Sequence, residues 1–226
     1  VERVVELELT FEGPRGTLSG LWRDATNATA VLVVAHGAGN DMRNRFLDGV
    51  SESLAAGGVS SMRFNFPFTE QGRRSPDRAP VLIEAWRAAL AEAASHAGGL
   101  PMATGGKSMG GRMASMLAAE DPDSFPASAL VFFGYPLHPP GRPDKPRVEH
   151  LGQIRVPMLF IQGTADALAS FDMIQDVVRG LGSTARLHVI EGGDHSFRVR
   201  GKRRPDEEIG KELGEVAARF VKEVVG

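Results

Sequence analysis

Gly106-Lys107-Ser108-Met109-Gly110 spells G-x-S-x-G between the apolar run Met102-Ala103-Thr104 and a helical pattern that begins at Met109. A short strand, a turn of small residues and then a helix is the setting that lifts a serine hydroxyl clear of a sheet, and it makes Ser108 a candidate nucleophile. Serine is a poor nucleophile at neutral pH, so the turn has chemical use only beside a base. Gly106 and Gly110 are read as supplying the backbone freedom that a strained turn needs. A serine ahead of a helix is also a good N-cap, so the motif takes its meaning from what accompanies it.

On the N-terminal side of this turn, residues 30–35 (Ala-Val-Leu-Val-Val-Ala) are continuously apolar, and similar runs recur at 59–64, 129–133 and 158–161. Runs of this kind predict central parallel strands covered on both faces. Between them lie helical patterns at 44–56, 80–96, 109–119, 170–179 and 205–225. Residues 3–10, the turn Gly13-Pro14-Arg15-Gly16 and residues 17–22 predict a β-hairpin ahead of the alternating part. The expected fold is therefore α/β, a mostly parallel central sheet with helices on both faces and an N-terminal antiparallel hairpin, with ligands at the carboxyl ends of the strands. The proline-rich stretch 135–153 is too short for a lid domain and predicts a loop or a single helical turn near the site.

The 226 residues predict one domain over 1–226. Hydrophobic residues at 42% and charged residues at 24% exclude a disordered or collagen-like chain. A formal charge of -2 gives no reason to expect a nucleic-acid partner, and the basic cluster Arg198, Arg200, Lys202, Arg203, Arg204 is read as solvated surface before a helix. The absence of cysteine excludes disulfides, thiolate metal sites and a thiol nucleophile, and neither metal nor cofactor is expected. No apolar run approaches the roughly 20 residues of a membrane span, so no membrane partner is expected. The start Val5-Glu6-Leu7-Glu8-Leu9 alternates instead of resembling a leader, and a cytoplasmic setting is expected.

An acid and a histidine follow Ser108 at strand ends. Asp166 closes Gln162-Gly163-Thr164-Ala165-Asp166 after one apolar strand, and His195 lies in Glu191-Gly192-Gly193-Asp194-His195-Ser196-Phe197 after the next, residues 186–190. The roles assigned are nucleophile for Ser108, base for His195, and orienting acid for Asp166. Asp194 also stands beside His195, but neighbouring side chains on an extended loop diverge, which favours Asp166. The small-residue loop His36-Gly37-Ala38-Gly39 offers the N–H of Ala38, alongside that of Met109, as oxyanion donors, with His36 bracing the loop. Asn40, Met42, Phe68, Tyr135, Leu168 and Phe197 are the expected pocket residues, mostly apolar and suited to a small ester or thioester. The loop arginines Arg43, Arg45, Arg73 and Arg74 are the alternative, as receivers of a carboxylate.

The order of these pieces, hairpin, His-Gly-Ala-Gly, Gly-Lys-Ser-Met-Gly-Gly-Arg, strand with acid, and Gly-Gly-Asp-His-Ser-Phe, resembles an α/β-hydrolase of the dienelactone-hydrolase-like group over nearly the whole chain. The chain order Ser, Asp, His is the one that group uses. Gly105 to Arg112 together with Arg63-Phe64-Asn65-Phe66-Pro67 resembles, more narrowly, the branch that contains a testis-expressed protein and a regulatory subunit of the nonspecific lethal histone-acetyltransferase complex. True dienelactone hydrolases carry cysteine where this chain has Ser108, so the resemblance implies the fold and a triad but not the lactone substrate.

Two rivals differ in kind. Gly106-Lys107-Ser108 matches the tail of a phosphate-binding loop, but G-x-x-x-x-G-K-[ST] requires glycine where this chain has Pro101. A catalytically silent protein of the same fold, binding a ligand or a partner, would have no chemical need for serine, acid and histidine on three separate loops. Transfer of the acyl group to an acceptor other than water shares the same first half-reaction.

Overall fold

The computed structural model describes residues 6–226, so the expectation of strand at residues 3–5 lies outside the described part. Among the described residues, eight strands form one sheet in the order β1-β2-β4-β3-β5-β6-β7-β8. They are β1 (Glu6–Gly13), β2 (Gly16–Arg23), β3 (Ala30–Ala35), β4 (Val59–Phe64), β5 (Met102–Lys107), β6 (Leu130–Phe133), β7 (Met158–Gly163) and β8 (Ala185–Ile190). The helices are α1 (Arg45–Ala56), α2 (Pro67–Glu70), α3 (Ala79–His96), α4 (Met109–Glu120), α5 (Phe171–Leu181) and α6 (Asp206–Val225). β1 and β2 form the hairpin, with Gly13 opposite Gly16, and β2 runs antiparallel to β4 as well. From β4 to β8 every pairing is parallel.

The alternation of side chains along a strand explains why β3 is apolar throughout. Val31, Val33 and Ala35 enter the core on one face, with α3 and α4 residues such as Trp86 and Met113, whereas Ala30, Leu32 and Val34 enter the other, with α1 and α6 residues such as Leu47 and Leu213. A central strand covered on both sides has no polar face to spare. Helix α1 begins where Asn44 accepts from the Leu47 N–H at 3.0 Å, a side-chain cap on an otherwise orphan donor. Phe132 of β6 packs within 4.7 Å of Phe160 and 5.1 Å of Tyr135, ring centroid to ring centroid, and truncating such a buried ring costs about 3–5 kcal/mol.

β3 pairs with β4 on one side and β5 on the other, so the chain reverses its direction of travel across the sheet there. Ala35 lies level with both Phe64 and Gly106, which brings the loops after β3 and β5 together at the carboxyl edge. A crevice opens at such a reversal and receives ligands. After β6, the expected irregular stretch holds a 3-10 turn at Glu149–Gln153 and no lid domain. No helix among the described residues is long and apolar enough to cross a membrane.

Candidate active site

Ser108 follows β5 directly and sits at φ 52°, ψ -116°, on the positive-φ side that a residue with a Cβ adopts at a cost of about 1–3 kcal/mol. Two backbone bonds hold it there: its N–H donates to Phe133 O at 3.1 Å, and Arg112 N–H donates to Ser108 O at 3.0 Å. The hydroxyl caps nothing on α4. The strain therefore falls on the serine and not on its flanking glycines, which differs from the expectation for Gly106 and Gly110; neither has positive φ. Their need is closeness instead, since a Cβ on Gly106 would stand 2.7 Å from Ala35 O and one on Gly110 2.6 Å from both Ala35 O and His36 O.

The Ser108 Oγ lies 2.8 Å from His195 Nε2, and His195 Nδ1 lies 2.8 Å from Asp166 Oδ2. A carboxylate can only accept, so Nδ1 carries the ring proton and Nε2 is left to accept from the serine hydroxyl. The Asp166 side chain has 0% exposure and is held by two further donors, Gln162 Nε2 at 2.5 Å to Oδ2 and Leu168 N–H at 2.8 Å to Oδ1. Gln162 is itself fixed, because its Oε1 accepts from the Tyr135 N–H at 2.9 Å. Asp194 faces away from the ring: its Oδ1 accepts from the N–H groups of Ser196 and Arg198 at 2.8 and 2.9 Å, closing the tight turn that presents His195.

Across the crevice, Ala38 and Met109 border the same cavity as Ser108. Neither N–H has a backbone acceptor among the described residues. His36 is buried, and burial lowers its pKa, so the ring is neutral. It donates from Nδ1 to Gly37 O at 2.8 Å and accepts at Nε2 from the Phe66 N–H at 3.2 Å, which locks the loop after β3 against the loop after β4. The Arg63-Phe64-Asn65 stretch grips the same region, with Arg63 donating to Met42 O at 3.2 Å and Asn65 Oδ1 accepting from Met42 N–H at 2.9 Å.

The cavity beside Ser108 measures about 350 Å³, and its apolar wall includes Leu82, Met113, Pro136 and Leu168. Of the six expected pocket residues, only Leu168 borders it. Met42, Phe68 and Tyr135 are buried within the protein, Phe68 and Tyr135 in the core on the α3/α4 face, and Phe197 is packed in the opposite core, stacked on Phe46 at 5.8 Å. Asn40 is exposed and outside the wall. Large apolar side chains next to the loops that carry the candidate triad are here used to fasten those loops from beneath.

Two features carry no sequence signature. Lys107 sends its ammonium to His195 O at 2.6 Å and over the Phe197 ring at 5.2 Å, joining the turn of Ser108 to that of His195. Burial pulls its pKa down to about 8, against the opposing pull of Asp166 and Asp194. A second serine–histidine contact, Ser115 Oγ to His150 Nε2 at 2.8 Å, is shared with the Tyr135 hydroxyl. Ser115 is fully buried on α4, so this cluster fastens the 3-10 turn to the helix and offers no hydroxyl to a substrate.

An alpha/beta hydrolase domain family matches residues 28–225 of the chain. Among solved structures, the chain is similar to a dienelactone hydrolase from Anabaena variabilis, with TM-score 0.77, 21% identity, and 99% of each chain covered. It is also similar to a lidless α/β serine hydrolase from Xanthomonas campestris, with TM-score 0.75, 20% identity, and 98% of this chain and 97% of that one covered. The esterase domain of a Rhodothermus marinus protein aligns with TM-score 0.73 and 16% identity over 98% of this chain and all of that one. At these identities the likeness is one of fold.

Proposed function

We propose, from the premise that this chain belongs to the alpha/beta hydrolase domain family, that it is a serine hydrolase cleaving a small ester or thioester through an acyl-enzyme on Ser108. The observation that carries this reading is the unbroken relay from Ser108 Oγ to His195 to Asp166, both contacts at 2.8 Å, on a serine whose hydroxyl has no capping duty. In this mechanism His195 Nε2 takes the hydroxyl proton as Oγ attacks the carbonyl carbon, and Asp166 stabilises the imidazolium that forms. The N–H groups of Ala38 and Met109 receive the negative charge developing on the carbonyl oxygen, with the N-terminus of α4 adding its dipole. Collapse expels the alcohol or thiol, which takes the proton from His195. Water then enters, His195 removes its proton, and the acid leaves as Ser108 is restored.

The reading treats residues 1–226 as one domain that works in the cytoplasm on a small molecule, without cofactor, metal, membrane or nucleic-acid partner. The motifs around Arg63 and Gly105–Arg112 support kinship with the branch of the testis-expressed protein and the nonspecific lethal complex subunit. Turnover of p-nitrophenyl esters of rising chain length tests the assignment. Ser108→Ala is expected to lower kcat by about four orders of magnitude or more without unfolding the protein. Ester turnover that survives at the wild-type level would remove Ser108 from the mechanism.

A further inference from the structure

We infer that Arg112 and Arg147 form a receptor for a carboxylate, so that the ester cleaved at Ser108 carries an anionic group on its acyl or alcohol part; the inference rests on the hydrolase reading above. Both arginines border the cavity that holds Ser108. Arg112 lies one helical turn beyond the serine on α4, and Arg147 comes from the irregular stretch after β6. Neither forms an ion pair among the described residues, and the Arg112 Nε is buried without any hydrogen-bond partner. A guanidinium N–H hidden from water with no acceptor is costly, and two neighbouring cations add repulsion.

Most of the other charges nearby are committed, with Glu149 and the exposed Arg74 the exceptions among the described residues. Of the loop arginines that sequence singles out, Arg43 is taken by Glu8 at 2.6 Å, Arg45 by Glu207 at 3.5 Å and Arg73 by Asp77 at 2.8 Å. Asp77, the one acid on the cavity wall, also holds Arg15 at 3.1 Å, so its charge is compensated twice, although its second oxygen stays unpartnered. His138, also on the wall, is turned to Pro139 O at 2.9 Å. In the hollow behind the two arginines, Glu120 is engaged by Arg87 at 2.7 Å, and Glu149 forms no ion pair among the described residues. Burial and the charge of Arg147 both lower the pKa of Arg112, which Tyr135 and Glu149 only partly oppose. A carboxylate between the guanidiniums would satisfy the orphan donor and relieve the repulsion, and the planar fork of arginine suits that shape.

The test compares kcat/KM for 4-nitrophenyl hydrogen adipate with 4-nitrophenyl hexanoate, and for 4-carboxyphenyl acetate with phenyl acetate, each divided by its rate of alkaline hydrolysis. The first pair places the carboxylate on the acyl side and the second on the alcohol side. The expected result is a preference of about 10- to 100-fold for the anionic ester in one pair, the range that a hydrogen bond to a charged group supplies. That ratio should collapse in Arg112→Gln and in Arg147→Gln, survive in part in Arg112→Lys, and persist in Arg74→Gln, which removes an exposed arginine outside the cavity. Because the readout is a ratio, a general loss of activity or folding in a variant cancels. Neutral esters turned over with no anionic preference in either pair, or a preference that persists in both glutamine variants, would overturn the inference and leave the hydrolase reading standing. No turnover of any of the four esters would count against that reading and this inference together.

Discussion

The Lys107 ammonium donates to the carbonyl oxygen of His195 at 2.6 Å, so the residue before the proposed nucleophile holds the backbone of the proposed base. Alignment of base and nucleophile to a fraction of an ångström is worth orders of magnitude in rate, and this contact spans the two loops that must stay aligned. Lys107→Met is expected to lower kcat about tenfold with little change in KM. As pH rises through about 8, the ammonium becomes a weaker, neutral donor, so wild-type kcat should acquire a falling limb there. Lys107→Arg keeps its charge and should lack that limb. Identical alkaline profiles for wild type and Lys107→Arg would remove Lys107 from any positioning role.

Asp166 and Asp194 should separate cleanly under substitution. Asp166→Asn deprives His195 Nδ1 of its acceptor and should lower kcat by about three to four orders of magnitude, the wrong-tautomer effect of other triads. Asp194→Asn keeps the Oδ1 that accepts from Ser196 and Arg198, so it should cost little, whereas Asp194→Ala opens the turn and should cost more. Steady-state kinetics of the three variants decide the matter. Equal losses in the two asparagine variants would contradict the assignment.

Gln162 is the support for both Asp166 and the Tyr135 backbone. Gln162→Leu leaves the buried Tyr135 N–H without an acceptor and Asp166 one donor short, which should cost about 2–3 kcal/mol in urea unfolding together with a drop in kcat. Gln162→Glu restores an acceptor for Tyr135 but sets a second carboxylate beside Asp166, so it should depress activity at neutral pH further than the leucine does. Wild-type kcat in both would show that Asp166 needs no such support.

Acid should destabilise the protein through His150. Burial first, and then the Arg112 charge, lowers its pKa from 6.5 to about 4. Between those values the unfolded chain binds the proton and the folded one does not, so stability falls as pH drops through that window. The effect should be about 1–2 kcal/mol once solvent screening at the partly exposed ring is allowed for. Urea unfolding at pH 7 and pH 4.5 should show a smaller difference for His150→Gln than for wild type, and equal differences would contradict the assignment.

The strands and longer helices were legible because their patterns are local. The six apolar residues of β3 announce a strand covered on both faces, and the helical pattern over 44–56 announces α1. Helix α2 was not legible, since Pro67–Glu70 is too short for a periodicity to show. Ser108, Asp166 and His195, the proposed triad, which the structure joins by hydrogen bonds, stood out as candidates because each stands at a strand end among small residues. The cavity wall could not, because Phe68 on the short α2 and Tyr135 and Phe197 on loops differ from the residues that line the cavity only in which way the side chain turns, and neighbours distant in sequence decide that. Gln162 and Lys107 look like ordinary strand residues until the loops they fasten are seen together.

The most direct test of the proposed mechanism is covalent labelling with a fluorophosphonate, located by mass spectrometry. A serine hydroxyl activated by His195 attacks phosphorus, whereas a hydroxyl that only caps a helix does not. The account predicts one adduct per chain on Ser108, abolished in Ser108→Ala and strongly slowed in His195→Ala. Stoichiometric labelling at another residue, or none at high probe concentration on folded protein, would contradict it and favour a hydrolase fold that binds without catalysis.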